Sequence, residues 1–280
     1  MSLSKLRVRY HQSLCAEVLS LGKGSPNIAD IASPTSIAIA HSIVAQLGYP
    51  TISQGPSGQS AGRIFEELTR SFLKDCFKLL QHVRPGEWAF AIGRITQFEQ
   101  YEHLAELQRL LEKKPKLKAT LGGDYLVLPD IVVARRPLTD AELNRDDVVV
   151  DESETIARLT PLRASNRSNS LWILHASISC KWTIRSDRAQ NIRTEGLNLI
   201  RHRKGHTPHI VAVTAEPLPT RLASLALGTG DLDCVYHFAL PELQAATREA
   251  GGQEQLEMLE AMVDGRRLRD ISDLPLDLAV

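Results

Sequence analysis

The chain has 280 residues, with 33 basic and 33 acidic side chains and a formal net charge of zero. That length allows one large α/β domain or two small ones, and neutrality argues against a bulk nucleic-acid or membrane binder. Cys15, Cys76, Cys180 and Cys234 lack C-x-x-C spacing, which argues against a zinc ribbon or a disulfide framework.

In chain order, residues 5–20 predict a helix ending at Gly22. Ser33-Pro34 supplies an N-cap and a first-turn proline for a helix through Leu47, stopped by Gly48. Gly55-Pro-Ser-Gly58-Gln59-Ser-Ala-Gly62 resembles a phosphate loop but lacks the Lys-Ser/Thr that defines one, so it reads as a tight loop suited to close backbone approach. Over residues 63–81, Phe65, Leu68, Phe72, Cys76 and Leu79 recur at helical spacing. Glu66 falls at the edge of that stripe and Glu67 points away from it. A further helix is expected over 98–112, with Tyr101, Leu104, Leu107 and Leu111 on one side.

The second half switches period. Residues 125–134, 171–184 and 209–214 are β-branched or alternating, and 234–238 is a shorter run of the same kind. A helix opened by Ser186 or Asp187 and running to about Arg203 separates the second and third runs. Strand-helix-strand at that spacing implies a right-handed crossover and a mixed or parallel sheet. Helices near 241–250 and 253–263 close the chain. With no internal repeat or low-complexity linker, the expectation is a single domain over 1–280, helical to about residue 120 and sheet-built from about 121. Its class is α/β (α+β), a central mixed sheet flanked by helices. No signal-peptide core or bilayer-length apolar run is present, so a cytoplasmic protein with no membrane partner is expected.

The chemistry concentrates in His175-Ala-Ser-Ile-Ser179-Cys180-Lys181-Trp-Thr-Ile-Arg185-Ser186-Asp187-Arg188. A lysine ends an apolar run there, directly before a guanidinium-carboxylate cluster. Upstream, Pro129-Asp130 opens the Ile-Val-Val run. An acid on one strand and a lysine on the next is how metal-dependent nucleases arrange phosphodiester chemistry, and hard Mg²⁺ wants carboxylate, carbonyl and water ligands. Asp130 is the leading ligand candidate and Lys181 the cation that offsets charge on phosphorus. The usual pattern puts an acid two positions before the lysine, where this chain has Ser179. Glu195, turned inward with Ile192 and Leu199, is the best replacement carboxylate. Arg185, Ser186, Asp187 and Arg188 at a helix N-terminus have the vocabulary for G·C pairs, because Arg bonds guanine O6 and N7 and Asp accepts from cytosine N4.

Each residue alone has a plainer reading. A strand-edge Asp is commonly a turn residue, a lone Lys a solvated charge, and Arg-Ser-Asp-Arg a helix cap with an ion pair. From Lys181 to His206 seven bases face only Asp187 and Glu195. That cationic stripe suits an enzyme that binds DNA and releases it, although a solvated helix face would look the same. A His175–Cys180 dyad is disfavoured because strand positions five apart face opposite sides. Ser179-x-Lys181 has no accompanying oxyanion motif. His202, His206 and His209 have no nearby acid or cysteine, so a loop role or phosphate contacts suit them better than a metal cluster.

On these residues the chain resembles the type II restriction endonucleases of the PD-(D/E)XK superfamily that read a CCGG core. The densest match is Leu174-His-Ala-Ser-Ile-Ser-Cys-Lys-Trp-Thr-Ile-Arg-Ser-Asp-Arg-Ala-Gln-Asn191. Further matches are Thr214-Ala-Glu-Pro217, Ala226-Leu-Gly-Thr-Gly230, Cys234-Val-Tyr-His-Phe-Ala-Leu240 and the run from Asp270 to Val280. The resemblance implies an active site of Glu66, Asp130, Ser179, Lys181 and Glu195, with Mg²⁺ on Asp130, Glu195 and the main-chain carbonyl of Cys180. It implies that Arg185, Asp187 and Arg188 read the central CCGG, that Arg221 contacts the outer G·C pair, and that Gln59 and Asp30 make minor-groove contacts. The implied target is double-stranded GCCGGC, cut after the first G to leave a four-base 5′ extension. A homotetramer of two back-to-back dimers is also implied, as is a cognate DNA methyltransferase in the same restriction-modification system without a stable complex. The competing functions are a sequence-specific DNA-binding protein without cleavage, a DNA-repair nuclease on the same fold, and a Cys/His hydrolase.

Overall fold

The computed structural model describes residues 1–280 apart from 23, 117–119, 121–126, 152, 154, 165–170, 185 and 229, and at 186–188 the backbone alone. The strand order of the main sheet is β3-β4-β5-β6-β7-β8. These strands are β3 (Trp88–Ala91), β4 (Ile131–Arg135), β5 (Ile173–Lys181), β6 (His209–Thr214), β7 (Cys234–His237) and β8 (Leu268–Asp270). β3 pairs antiparallel with β4, whereas β6, β7 and β8 run parallel, so the sheet is mixed. A separate hairpin joins β1 (Leu21–Gly22) to β2 (Ser25–Pro26). The chain clusters into two compact units.

The first unit contains residues 1–85, 178–197 and 209–280. Helix α1 (Leu3–Glu17) starts at Ser2, whose hydroxyl accepts from Lys5 N–H, and buries Leu6, Tyr10, Leu14 and Cys15. Helix α2 (Pro34–Leu47) has Ser33 as its cap and Pro34 in its first turn, and it ends at Gly48 with φ +69°. Helix α3 (Gly58–Leu79) buries Phe65, Thr69, Phe72, Leu73 and Cys76, and Tyr10 shares a 2.9 Å hydrogen bond with Thr69 across the α1–α3 contact. The loop expected through Gly62 is therefore shorter than its glycines suggest. Ser57 accepts from Ser60 N–H and starts the helix at Gly58. Close approach does occur at Gly55, where a Cβ would sit 2.2 Å from Ser20 Oγ.

At the other end of this unit, helix α8 (Leu240–Ala250) precedes α9 (Gly252–Asp264) and the short α10 (Leu274–Asp277). Arg7 forks between Glu242 and Asp270 at 2.6–3.0 Å, tying α1 to α8 and β8. Helix α7 (Pro219–Ala226) was not anticipated. It follows Glu216-Pro-Leu and places Pro219 at its first position, where a missing N–H costs nothing.

The second unit contains residues 86–177 and 198–208. Arg135 stacks on the Trp88 ring at 5.8 Å across the β3–β4 pair. The helix expected over 98–112 is α4 (Glu102–Glu112), preceded by two 3-10 turns at Ile95–Gln97 and Glu99–Tyr101. The Gln100 amide bridges both backbone groups of Leu174 at 2.7 and 2.9 Å, which fixes that turn against the start of β5. A four-residue helix α5 (Asp140–Leu143) carries a Thr139–Glu142 capping box, and buried Arg163 grips Asp140 with two bonds of 2.6 and 2.7 Å. Of the strand expected over 125–134, residues 125 and 126 lie outside the described residues, and β4 begins at Ile131. Pro129 has no N–H to donate and Leu128 is 57% exposed. Among the described residues, no helix is long and apolar enough to cross a membrane.

Candidate active site

β5 explains much of the site's layout. Eight of its nine residues are buried and only Lys181 reaches partial exposure, as expected for a strand covered on both faces. Alternation puts His175, Ser177, Ser179 and Lys181 on one face and Leu174, Ala176, Ile178 and Cys180 on the other. His175 packs edge-on against Trp88 at 4.9 Å, an ordinary structural contact. The Lys181 carbonyl accepts from Ala215 N–H at 3.4 Å, holding the strand end beside the exit of β6.

Lys181 opens onto a cleft of about 1300 Å³ in the first unit. Three elements bring acidic groups or the lysine to it. Glu66 comes from α3, Lys181 from β5 and Glu195 from helix α6 (Ser186–His202). Phe65, fully buried one residue before Glu66, meets Trp182 edge-to-face at 5.2 Å, one residue after Lys181. That aromatic pair, worth about 0.5–1.5 kcal/mol beyond area burial, sets Glu66 and Lys181 at one cavity. Glu67 points to solvent and pairs with Arg70. On α6, Ile192 is buried while Glu195 stays half-buried at the cleft. Gly196 lies against the loop before β7, where a Cβ would sit 2.5 Å from the Asp231 carbonyl oxygen, so a larger residue would push this part of α6 off its seat.

Cys180, Gln59, Asp30 and Arg221 line the same cleft. Ser179 is buried one residue before Cys180. Asp130 is half-buried at the bend before β4, in the second unit. Arg185 and the side chains of Ser186, Asp187 and Arg188 lie outside the described residues. Among the described residues, no group of three or more His, Cys, Asp or Glu is placed to hold a metal ion. The donor set still suits a hard cation, because Glu66 and Glu195 offer carboxylate oxygens at one cavity.

One carboxylate escaped the sequence reading. Glu216, between β6 and α7, is fully buried. Its Oε2 accepts from Ile184 N–H at 2.9 Å and its Oε1 from Leu218 N–H at 3.2 Å. Burial pushes its carboxyl up to about 7 against the pull of those two N–H groups and Arg221. Arg221 lies in the first turn of α7, ion-paired to Asp30 and with Nη1 3.9 Å from Glu216 Oε2. Close behind, burial presses the His237 imidazole down to about 4.

A family model described as NgoMIV restriction enzyme matches residues 10–280. The chain is 47% identical over 281 residues to the type II restriction enzyme NgoMIV of Neisseria gonorrhoeae, which covers 98% of this chain and 97% of that protein.

Proposed function

The chain belongs to the NgoMIV restriction enzyme family and is a type II restriction endonuclease; on that premise we propose that it cuts double-stranded DNA at a CCGG-core palindrome. The target is GCCGGC, opened after the first G to leave a four-base 5′ extension. The observation that carries this reading is the shared lining of one cleft, where Glu66, Lys181 and Glu195 meet Gln59, Asp30 and Arg221. Groups suited to phosphodiester chemistry and groups suited to base edges face a common space. Its volume exceeds the ~300–1,000 Å³ usual for small-ligand pockets, which favours a polymeric substrate.

In this mechanism water attacks phosphorus in line while the P–O3′ bond opposite breaks, leaving a 5′-phosphate and a 3′-hydroxyl that takes up a proton. The Lys181 ammonium offsets the negative charge that grows on the non-bridging oxygens. Asp130, Glu195 and the Cys180 carbonyl would hold Mg²⁺, which supplies Lewis-acid polarisation of the phosphate when bound. Glu66 adds a carboxylate beside the reacting phosphate, and Ser179 occupies the strand position where related sites carry an acid. Arg185, Asp187 and Arg188 read the core in the major groove, with Ser186 between them. Arg221 reads the outer pair, while Gln59 and Asp30 reach the minor groove. The active assembly is a homotetramer in the cytoplasm, accompanied by a DNA methyltransferase that does not form a stable complex with it.

Incubating the purified chain with plasmid and Mg²⁺, then sequencing the cut ends, tests the reading. A discrete ladder with ends at GCCGGC is expected. Bound but uncut DNA would favour a DNA-binding protein, and ragged ends a repair nuclease. Arg221→Ala is expected to reduce discrimination at the outer pair by about tenfold and leave core discrimination intact, as the loss of one good base contact should. Competition binding with duplexes differing only at that pair measures it. Cys180→Ser is expected to lower cleavage by less than about tenfold, because both residues offer the same main-chain carbonyl to a hard cation. A Cys/His hydrolase would instead lose its activity.

A further inference from the structure

The residues around Arg221 form a clamp, not a single ion pair. Its Nη2 faces Asp30 Oδ2 and its Nη1 faces Glu216 Oε2 at 3.9 Å, so two carboxylates bear on the two arms of one planar group. Asp30 is itself fixed, since its Oδ1 accepts from Ala32 N–H and its own N–H donates to Ser36 Oγ. Glu216 is fixed more firmly. Its side chain is 1% exposed and both oxygens accept backbone N–H groups, while its own N–H donates to Thr214 Oγ1 at 3.2 Å. The donors belong to two separate segments. Ile184 ends the turn after β5, and Leu218 is the N-cap residue of α7. A guanidinium hydrogen-bonded on one arm and drawn by a second carboxylate on the other has its orientation biased before any ligand arrives, which favours a directed base contact.

We propose that Glu216 is a positioning residue for sequence recognition: it locks the turn after β5 to the start of α7 and orients the Arg221 guanidinium toward the outer base pair. This rests on the reading of Arg221 given above. Glu216 lies behind the cleft and is absent from its lining, so it acts through Arg221 and not on DNA. Removing its charge leaves Arg221 to Asp30 alone, with one arm free to rotate onto neighbouring phosphates or solvent. The loss then falls on discrimination and not on the chemistry at the scissile bond.

The test measures kcat/KM at pH 8, where the Glu216 carboxyl is ionised, on duplexes carrying GCCGGC and ACCGGT for the wild type, Glu216→Gln, Arg221→Ala and the double variant. The preference for GCCGGC is a ratio taken within one sample, so a smaller folded fraction cancels. Glu216→Gln is expected to cut that preference by about tenfold, comparable with losing one base contact. In the Arg221→Ala background the same change is expected to do nothing further, because its route has gone. An unchanged ratio in Glu216→Gln overturns the proposal, as does an additional loss in the double variant. If the glutamine protein does not fold, Glu216→Asp, which keeps the charge on a shorter arm, is read by the same ratio. A wild type that cuts neither duplex would overturn the functional reading and the proposal with it. A wild type that prefers GCCGGC beside an unaltered variant would overturn the proposal alone.

Discussion

Replacing Lys181 by alanine is expected to lower cleavage by on the order of 10²–10³-fold and to spare specific binding. The half-buried lysine ends β5 at the cleft and is held there by the Lys181–Ala215 backbone bond and by Trp182 packed on Phe65. On the proposed reading its ammonium meets the scissile phosphate already oriented, and removing such a preorganised group costs on the order of 10²–10³-fold in rate. The residues proposed to read the bases do not depend on it. Binding should weaken only by the loss of one phosphate contact, seen as a change of about one in the slope of log K against log salt. Asp130→Ala should lower cleavage at least as far, through the proposed metal and not through phosphate charge, and should leave that slope unchanged. Single-turnover cleavage of a GCCGGC duplex and filter binding without divalent metal measure both properties. Cleavage within tenfold of wild type in either variant, or loss of specific binding in both, would remove these assignments.

What the sequence disclosed depended on whether the cause was local. Ser33, Pro34 and Gly48 bracket α2 because capping and left-handed backbone are properties of single residues. The β6 strand matches its expected bounds of 209–214 because its run is β-branched and ends in polar and proline residues. Glu66 and Glu195 were legible because helical spacing fixes which side faces inward. Local pattern failed where pairing partners decide the outcome. Trp88-Ala-Phe-Ala becomes β3 only because β4 lies beside it. Among the described residues β4 begins only after Pro129, although the hydrophobic run begins earlier. The three-to-four-residue spacing of Leu222, Leu225 and Ala226 after Pro219 was a usable signal for α7. Nothing local marked Glu216. Its burial depends on an N–H from Ile184, 32 residues away in sequence, and on an arginine in the first turn of the following helix. A charged residue between a strand and a proline reads as surface until the fold closes over it.

That burial has a consequence for stability. The Glu216 carboxyl is pushed up to about 7 from the ordinary 4.5, first by desolvation and further by Asp30, against the Ile184 and Leu218 N–H groups and Arg221. Folded protein therefore keeps a proton across this interval that unfolded protein gives up, and stability falls as pH rises from about 4.5 through about 7. The shift corresponds to about 3 kcal/mol. Glu216→Gln has no proton to release. It carries a fixed cost instead, because an amide has one acceptor oxygen for two incoming N–H groups, roughly 1–3 kcal/mol at every pH. Relative to wild type, the glutamine variant should gain about 3 kcal/mol between pH 4.5 and pH 8. The depressed His237 imidazole runs the other way, adding stability as pH rises, but it is common to both proteins and drops out of the difference. Urea unfolding of the two proteins at pH 5 and pH 8 measures the gap. A gap that stays constant would mean that the Glu216 carboxylate is ionised throughout, with its two N–H donors and Arg221 outweighing the cost of burial.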